Sequence, residues 1–424
     1  MFDFANQAYT LLILTVVFGD LFTRVIVADG PDYRLGNLLW SVSLAISYLL
    51  VVLSGPFFGA VMDYTRTKKC FLFASYLLTV VCTALLYFVA PGYALLGMLL
   101  IILSNFGYSS GMSFISSFLP DLGPKRDLGW ISGLGWALGY VGGMCSAVFV
   151  LMVLGDVTAE NFDRIRWVGP WAAFFFLVAA LPTFIFLKER GRRQKPPQGI
   201  SYPALGFSRV RQTLMDARRY HNLWWLFVSV FFAMSGTSLV ITFSFIYGSQ
   251  VVGWDESVRV LMFVIVQITA AIGALSFGFL QHRIGPQRTY QITLGLWIAA
   301  IVLIFATPEL EGWLHSIFGL EWQAQHIFLV VGCVAGISLG SCQSAIRTLV
   351  GVLAPSGRTA EFFGFWGLSV QLASAFSLLA LGLLQALVGL QLAVLLCAVF
   401  FSLALVLSGK FSDSPGNTAG GESQ

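Results

Sequence analysis

Charge is what this 424-residue sequence has least of: 10% of its residues are Asp, Glu, Lys or Arg, against roughly 25% in an ordinary soluble domain. With 57% of the residues hydrophobic, too little polar surface is left to face water, and the composition is that of an integral membrane protein. The four histidines (His221, His282, His315, His326) sit at the ends of apolar runs, and the six cysteines (Cys70, Cys82, Cys145, Cys333, Cys342, Cys397) form no CxxC pair or metal-like cluster. No metal is called for, and the thiols read as small apolar side chains. There is no G-x-x-x-x-G-K-[ST] run to cradle ATP phosphates. The one G-x-S-x-G match, residues 336–340, lies inside an apolar run, whereas a hydrolase nucleophile needs a strand-to-helix elbow and a histidine base. Enzyme chemistry and a cofactor are therefore not expected.

Apolar runs of the roughly 20 residues that cross a hydrocarbon core recur along the whole chain. They fall near 4–26, 37–61, 70–90, 93–119, 128–154, 169–187, 222–248, 258–281, 289–307, 326–350, 361–386 and 391–408. The expected fold class is all-α, with twelve transmembrane helices in two pseudo-symmetric six-helix bundles. The first run has neither the basic start nor the small-residue cleavage site of a secretory signal and is expected to persist in the mature chain. With a cytoplasmic N-terminus, nineteen Lys and Arg residues fall on the inner side and five outside, which by the positive-inside rule puts both termini in the cytoplasm. The net charge of +4 follows from that asymmetry and gives no reason to invoke nucleic acid.

The polar segments divide the chain into bundles at 1–187 and 222–409, a cytoplasmic linker at 188–221 and a disordered tail at 410–424. Within the linker, Phe207, Val210, Leu214 and Ala217 recur at helical spacing, with Arg209, Arg211, Arg218 and Arg219 on other faces. That pattern predicts a basic amphipathic helix on the inner membrane surface; a solvated basic linker is the alternative. Residues 308–325 read as an outer loop, with Trp313, Leu314, Ile317, Phe318 and Trp322 at headgroup level. Glycines spaced four apart, Gly135, Gly139 and Gly143, then Gly336 and Gly340, predict close helix approach.

The two halves repeat one local pattern. Gly59 precedes Asp63 by four residues and a basic turn follows at Arg66, Lys68 and Lys69; Gly278 precedes His282 by four residues, followed by Arg283, Gly285 and Arg288. Internal repeats of this sort build many secondary transporters, with the substrate between the halves.

Twelve spans, a basic middle segment and this Gly-x-x-x-Asp turn resemble the major facilitator superfamily over essentially the whole chain. Four stretches, FDFANQAY (2–9), GPFFGAVMDYTRTKK (55–69), FLPDL with SGLGWALGYVGG (118–122 and 132–143) and QSAIRTLVGVLAPSGRTAEFFGF (343–365), are similar to the branch of fungal autophagy-related vacuolar effluxers and their bacterial relatives. Where that family's turn after the aspartate carries glycine and then arginine, this chain has Arg66 and Thr67. Gly135, Gly139, Gly142 and Gly143 approach the glycine-rich motif of drug antiporters, but Tyr140 stands at its proline and the spacing is one short. The resemblance implies two halves rocking about a central site, and amino-acid efflux across a bacterial inner membrane.

The residues give this expectation chemical content. Beyond Asp3, Asp20 and Asp63, the acids fall in loops, at span ends or in the tail, so neither a central carboxylate relay for protons nor a counter-charge for a cationic drug is evident. The spans offer neutral groups for binding a substrate: Asn6, Tyr9, Asn105, Tyr108, Thr237, Gln267, Gln343 and Gln371. Interhelical hydrogen bonding is the alternative role for each. Asp63 can accept N–H groups at the start of the eleventh span or pair with Arg66, while Arg347 can pair with Glu361; with Lys68 and Arg358 these make a cytoplasmic gate. Asp3, Asn6, Thr10, Ile13, Val17, Asp20 and Arg24 form one helical stripe, with Asp20 and Arg24 pairing at the outer mouth.

The expected partners are a small-molecule substrate, a coupling proton or ion, and the lipid bilayer, with the chain acting as a monomer. Two readings compete with amino-acid efflux: a transporter of an amphipathic drug, siderophore or lipid-like molecule, which the 38 phenylalanines keep open, and a non-transporting receptor or scaffold.

Overall fold

A chain in hydrocarbon must satisfy its backbone N–H and C=O groups internally, and helices do so within each segment. The computed structural model of the protein describes residues 1–27, 33–155, 157–189, 201–216, 219–318, 323–388 and 390–413, and helices account for its regular structure among them. We label the long helices α1 (Phe2–Ile26), α2 (Arg34–Thr65), α3 (Lys68–Phe88), α4 (Ala94–Ser116), α5 (Lys125–Leu154) and α6 (Phe162–Phe186). A shorter helix, α7 (Tyr202–Met215), follows. Then come α8 (His221–Tyr247), α9 (Glu256–Ile284), α10 (Pro286–Phe318), α11 (Ala324–Leu353), α12 (Thr359–Val388) and α13 (Gln391–Ser408). Among the described residues eleven helices are long and apolar enough to cross a membrane. The 30-residue α12 stands at the place of the remaining expected span.

Two boundaries differ from the sequence reading. Residues 308–318, expected to begin an outer loop, continue α10 through Pro308. Proline removes the hydrogen bond to the carbonyl four residues earlier; here that carbonyl, on Ile304, accepts the Tyr247 hydroxyl at 3.1 Å. Trp313 is exposed, while the side chains of Leu314, Ile317 and Phe318, and all of Trp322, lie outside the described residues. At the other end, the Gln287 side chain donates to the Ser408 and Phe411 carbonyls at 2.9 and 2.6 Å, and Asp413 Oδ2 accepts the Gln287 N–H at 3.0 Å. Residues 410–413 are thus tied down, and the rest of the expected tail lies outside the described residues.

The chain divides into two compact units. One comprises Met1–Asp121, Leu138–Val210 and Gly357–Gln371. Its core joins Phe2, Met62, Leu72, Tyr76, Phe114, Phe176 and Ala360, with Phe176 meeting Phe2 and Tyr76 edge-on at centroid distances of 5.5 and 5.3 Å. Lipid leaves no hydrophobic drive between helices, so such packing and small-residue contacts hold them together. Gly55 abuts Gly364, and Gly59 abuts the backbone of Ala360 and Glu361 so closely that a Cβ would overlap it. Gly142 rests in the same way against the Phe4 carbonyl.

α1 is not a uniform α-helix. Thr10–Val16 and Phe22–Ile26 are π-helical, and Thr15 donates its hydroxyl to the carbonyl of Thr10, five residues back, at 2.9 Å. The wider turn moves side chains off the 3.6-residue register that defined the sequence stripe. Asn6, Ile13 and Val17 are buried, whereas Arg24 is exposed.

The second unit comprises Leu122–Ala137, Arg211–Ser356 and Leu372–Gln424. In it Trp297 stacks on Phe401 at 5.0 Å, and Gly340 fits against the Ala270 carbonyl. Gly278 meets Gly133, and Gly129 meets the Gln281 side chain. The glycine contacts of α2 with the start of α12 in one unit thus have a counterpart between α9 and the start of α5 in the other.

Candidate functional site

In the first unit α1, α2 and α4 bring four of the expected substrate-binding residues into one polar cluster. Tyr9 and Tyr108 stack with centroids 4.8 Å apart. The Tyr9 hydroxyl shares a 2.8 Å hydrogen bond with Ser104, and Thr10 donates to the Tyr108 hydroxyl at 2.6 Å. Asn105, fully buried, donates to Ser47 at 2.6 Å, and Tyr48 lies beside it. Asn6 is 2% exposed; its amide nitrogen points at the Met112 sulfur, while its Oδ1 is buried with no hydrogen-bond donor. Asp3 lies within electrostatic reach of Tyr108, so the cluster sets neutral donors and acceptors near one carboxylate and suits a polar group with donors of its own. Ser47, Tyr48, Ser104 and Met112 were not singled out from sequence; polar residues at 47 and 48 within an apolar run were the available signal.

The other expected binding residues are distributed differently. Thr237, buried, donates its hydroxyl to the Ala233 carbonyl of its own helix at 2.9 Å. Gln267 and Gln343 are half-buried on α9 and α11 in the second unit, and Gln371 is half-buried on α12 at the end of the last segment of the first.

A charged cluster lies at the end of α2. Asp63 Oδ2 accepts the Glu361 N–H at 2.8 Å, and Thr359 donates to Oδ1 at 3.5 Å. The carboxylate therefore sits on the first turn of α12, where unpaired N–H groups and the helix dipole favour negative charge. Lys68, 5% exposed, donates to the Thr359 hydroxyl at 2.7 Å and the Ser117 carbonyl at 3.1 Å, with Asp121 at 3.5 Å and Asp63 at 3.9 Å. Lys68 is thus the cation that faces Asp63. Arg66 instead closes α2 in the left-handed conformation, φ 54°, the geometry for which glycine is the natural residue. Its guanidinium approaches Gly357. Glu189, unmarked in the sequence reading, accepts the N–H groups of Lys68 and Lys69 and caps α3.

The neighbouring Glu361 side chain, fully buried, has Arg209 of α7 at 3.9 Å. Arg358 directly precedes α12, and its carbonyl accepts the Phe362 N–H. Asp20 and Arg24 form the expected i, i+4 pair at 2.8 Å, half-exposed, with Arg24 also near the Tyr33 ring.

In the second unit Arg347 is 4% exposed. It donates to the carbonyl and hydroxyl of Ser132 at 2.8 and 3.1 Å and lies over the Trp136 ring. Ser132 donates in turn to the Ser344 carbonyl, and Gln281 to the Ser344 hydroxyl. His282, at the position matching Asp63 in the internal repeat, meets the Arg126 carbonyl at 3.1 Å and Asp127 at 3.6 Å, at the start of α5. Each unit thus ties a helix end to a helix start, with aspartate in one and histidine in the other.

The family profile described as "Vacuole effluxer Atg22 like" matches residues 38–128 and 126–414. The chain belongs to this family. Among its relatives, this Atg22-like chain is 26% identical over 395 residues to the MFS-type transporter YxiO of Bacillus subtilis, covering 92% of this chain and 88% of that one. It is 22% identical over 410 residues to autophagy-related protein 22 of Coccidioides immitis, where the match covers 80% of this chain but 65% of the fungal protein. Among solved structures, the Atg22-like chain superimposes on the major facilitator transporter FucP in its outward conformation with a TM-score of 0.72 at 14% identity, covering 96% and 97% of the two chains. The proton:xylose symporter XylE gives 0.70 at 14% identity, covering 97% and 94%. These structures establish the major facilitator fold, and the family is one of membrane transporters.

Proposed function

We propose that this chain exports a small polar solute, an amino acid, by alternating access of two six-helix bundles, 1–187 and 222–409, joined by the linker 188–221. The observation that carries the substrate class is the polar cluster around Tyr9 and Tyr108, with the buried Asn6 Oδ1 lacking a donor. An unsatisfied buried acceptor costs about 1–3 kcal/mol, and a solute ammonium is a donor that would remove that cost. Tyr9, Tyr108 and Asn105 supply the walls and further hydrogen bonds. The Asp3 carboxylate, within electrostatic reach of Tyr108, supports a cargo that carries an ammonium.

The gate in this reading is the charged cluster at the end of α2. Asp63 and Lys68 hold the start of α12, Arg66 and Arg358 flank the contact, and Glu361 faces Arg209; Arg347, expected to pair with Glu361, is engaged by Ser132 and Trp136 instead. The lysine and arginine asymmetry supports a cytoplasmic location for this end and for both termini, in a bacterial inner membrane. Asp20 and Arg24 then mark the outer mouth, and a proton or ion supplies the coupling.

The test is a thermal-shift screen of the purified protein against amino acids, peptides, siderophores and amphipathic drugs, since a ligand of the native state raises stability by mass action. An amino acid should raise the midpoint, and Asn6→Ala should abolish the rise. A shift with amphipathic compounds alone would replace this reading with the drug or siderophore one.

A further inference from the structure

The helix α7 has two unlike sides. One is packed within the first unit: Leu205 is buried, and Gly206 lies so close to Phe57 and Val61 of α2 that a Cβ would strike the Phe57 ring. Arg209, on this side, places its guanidinium 5.7 Å from the Tyr64 ring centre, donates to the Gly357 carbonyl at 3.4 Å, and approaches the Glu361 carboxylate at 3.9 Å. Gly357 has a φ of 81°, which a side chain would strain, and that turn presents its carbonyl to Arg209 immediately before α12. Arg209 therefore reaches both the turn that starts α12 and the residue whose N–H Asp63 holds.

The other side faces outward. Phe207, Arg211, Leu214 and Met215 stand at i, i+4, i+7 and i+8, one helical face, and Phe207, Leu214 and Met215 are 71%, 50% and 72% exposed. Depth identifies what covers this face. The α2 residues that α7 contacts, Phe57, Val61 and Tyr64, belong to the last turns of a membrane-crossing helix, so α7 lies where hydrocarbon gives way to headgroups. A helix with large apolar side chains and an arginine on one face suits that layer: the apolar groups enter the acyl boundary and the guanidinium meets lipid phosphate.

We propose that α7 is a lipid-responsive clamp on the Asp63 gate, seating its Phe207, Arg211, Leu214 and Met215 face in anionic headgroups and, through Arg209, holding the start of α12 closed. This rests on the gate reading of Asp63. Anionic lipid favours the seated helix because it adds phosphate contacts for Arg211 to the apolar insertion. The seated helix keeps Arg209 within reach of Glu361 and the Gly357 carbonyl. Arg209 acts here as a positioning residue and contacts no solute.

The experiment is amide hydrogen exchange on the full chain in nanodiscs of phosphatidylcholine with and without phosphatidylglycerol. In the wild type, phosphatidylglycerol should slow exchange across residues 202–215 and, with it, across 357–363. Arg209→Gln should retain the lipid effect on 202–215 but speed exchange of 357–363 by roughly tenfold, as loss of a partly buried charge contact would, with Arg209→Lys in between. The pair Phe207→Ser and Leu214→Ser, both on the exposed face of α7, should erase the lipid effect in both segments while other helices keep their protection. Lipid-independent exchange of 202–215 in the wild type would overturn the proposal. So would an Arg209→Gln protein whose 357–363 segment exchanges like the wild type. Asp63→Asn separates the two layers: if it exposes 357–363 and Arg209→Gln does not, the gate stands and the clamp falls. If neither variant does so, the gate reading falls too.

Discussion

The carboxylate of Asp63 accepts the backbone N–H of Glu361, 298 residues further along the chain, at 2.8 Å. The contact puts a negative charge on the first turn of α12 and leaves the buried ammonium of Lys68 with Asp63, Asp121 and the Thr359 hydroxyl around it. Asp63→Asn should lower stability by about 1.5–3 kcal/mol, the range for a hydrogen bond to a charged group, because it weakens the contact with the Glu361 N–H while Asp121 still faces Lys68. Thermal unfolding in detergent measures this, and solute flux in proteoliposomes should change with it.

Gly59 has no room for a side chain, because a Cβ would fall on the Ala360 carbonyl and the Glu361 Cα. Gly59→Ala is expected to cost about 1–3 kcal/mol, the range for overpacking, by forcing α2 and α12 apart. Asp63 lies one turn from Gly59, so the variant should also weaken the Asp63 contact. Faster hydrogen exchange at residues 359–363 would report it.

Arg66 occupies a left-handed position, φ 54°, that costs a non-glycine residue about 1–2 kcal/mol. Arg66→Gly should therefore raise thermal stability by up to roughly 1 kcal/mol. Unchanged flux in the same variant would limit Arg66 to the turn, and altered flux would give its guanidinium near Gly357 a part in the gate.

Tyr247 donates to the Ile304 carbonyl that Pro308 leaves without its helical partner. Tyr247→Phe removes the donor and nothing else of the ring. A loss of about 0.5–1.5 kcal/mol is expected, and exchange rates in residues 305–318 should rise. Stability and exchange both unchanged would show that another group takes over that carbonyl.

Asn6→Ala removes the buried oxygen that lacks a donor. In the empty protein it should be close to neutral, because a methyl replaces an unsatisfied polar group. Any stabilisation by an amino-acid ligand should be lost, and calorimetric titration of variant against wild type checks the difference.

What could be read before the fold was known follows from how far each physical effect reaches. Span length, the excess of basic residues on one side and the internal repeat are local properties of a chain that must hydrogen-bond itself within lipid, and they sufficed for the helices; the family came from the resemblance of four short stretches. Polar residues inside apolar runs marked Asn6, Tyr9, Asn105 and Tyr108, and the structure brings them together in one cluster. Periodicity did not foresee the π-helical turns of α1, because a shift from 3.6 residues per turn is set by neighbouring helices and leaves no mark in composition.

Pro308 shows the same limit from the other side. Its local rule says that a helix ends there, and a tyrosine on another helix overrules it. Likewise the sequence paired Asp63 with Arg66, while in the structure Arg66 closes α2 in a left-handed turn and Lys68 faces Asp63. The sequence by itself determined a twelve-helix membrane transporter with neutral groups in its spans and basic ends. Only the tertiary structure decided which charges meet, that α7 carries Arg209 to Glu361, and that Asn6 keeps an oxygen without a donor, because these depend on contacts between residues far apart in the chain that no local pattern encodes.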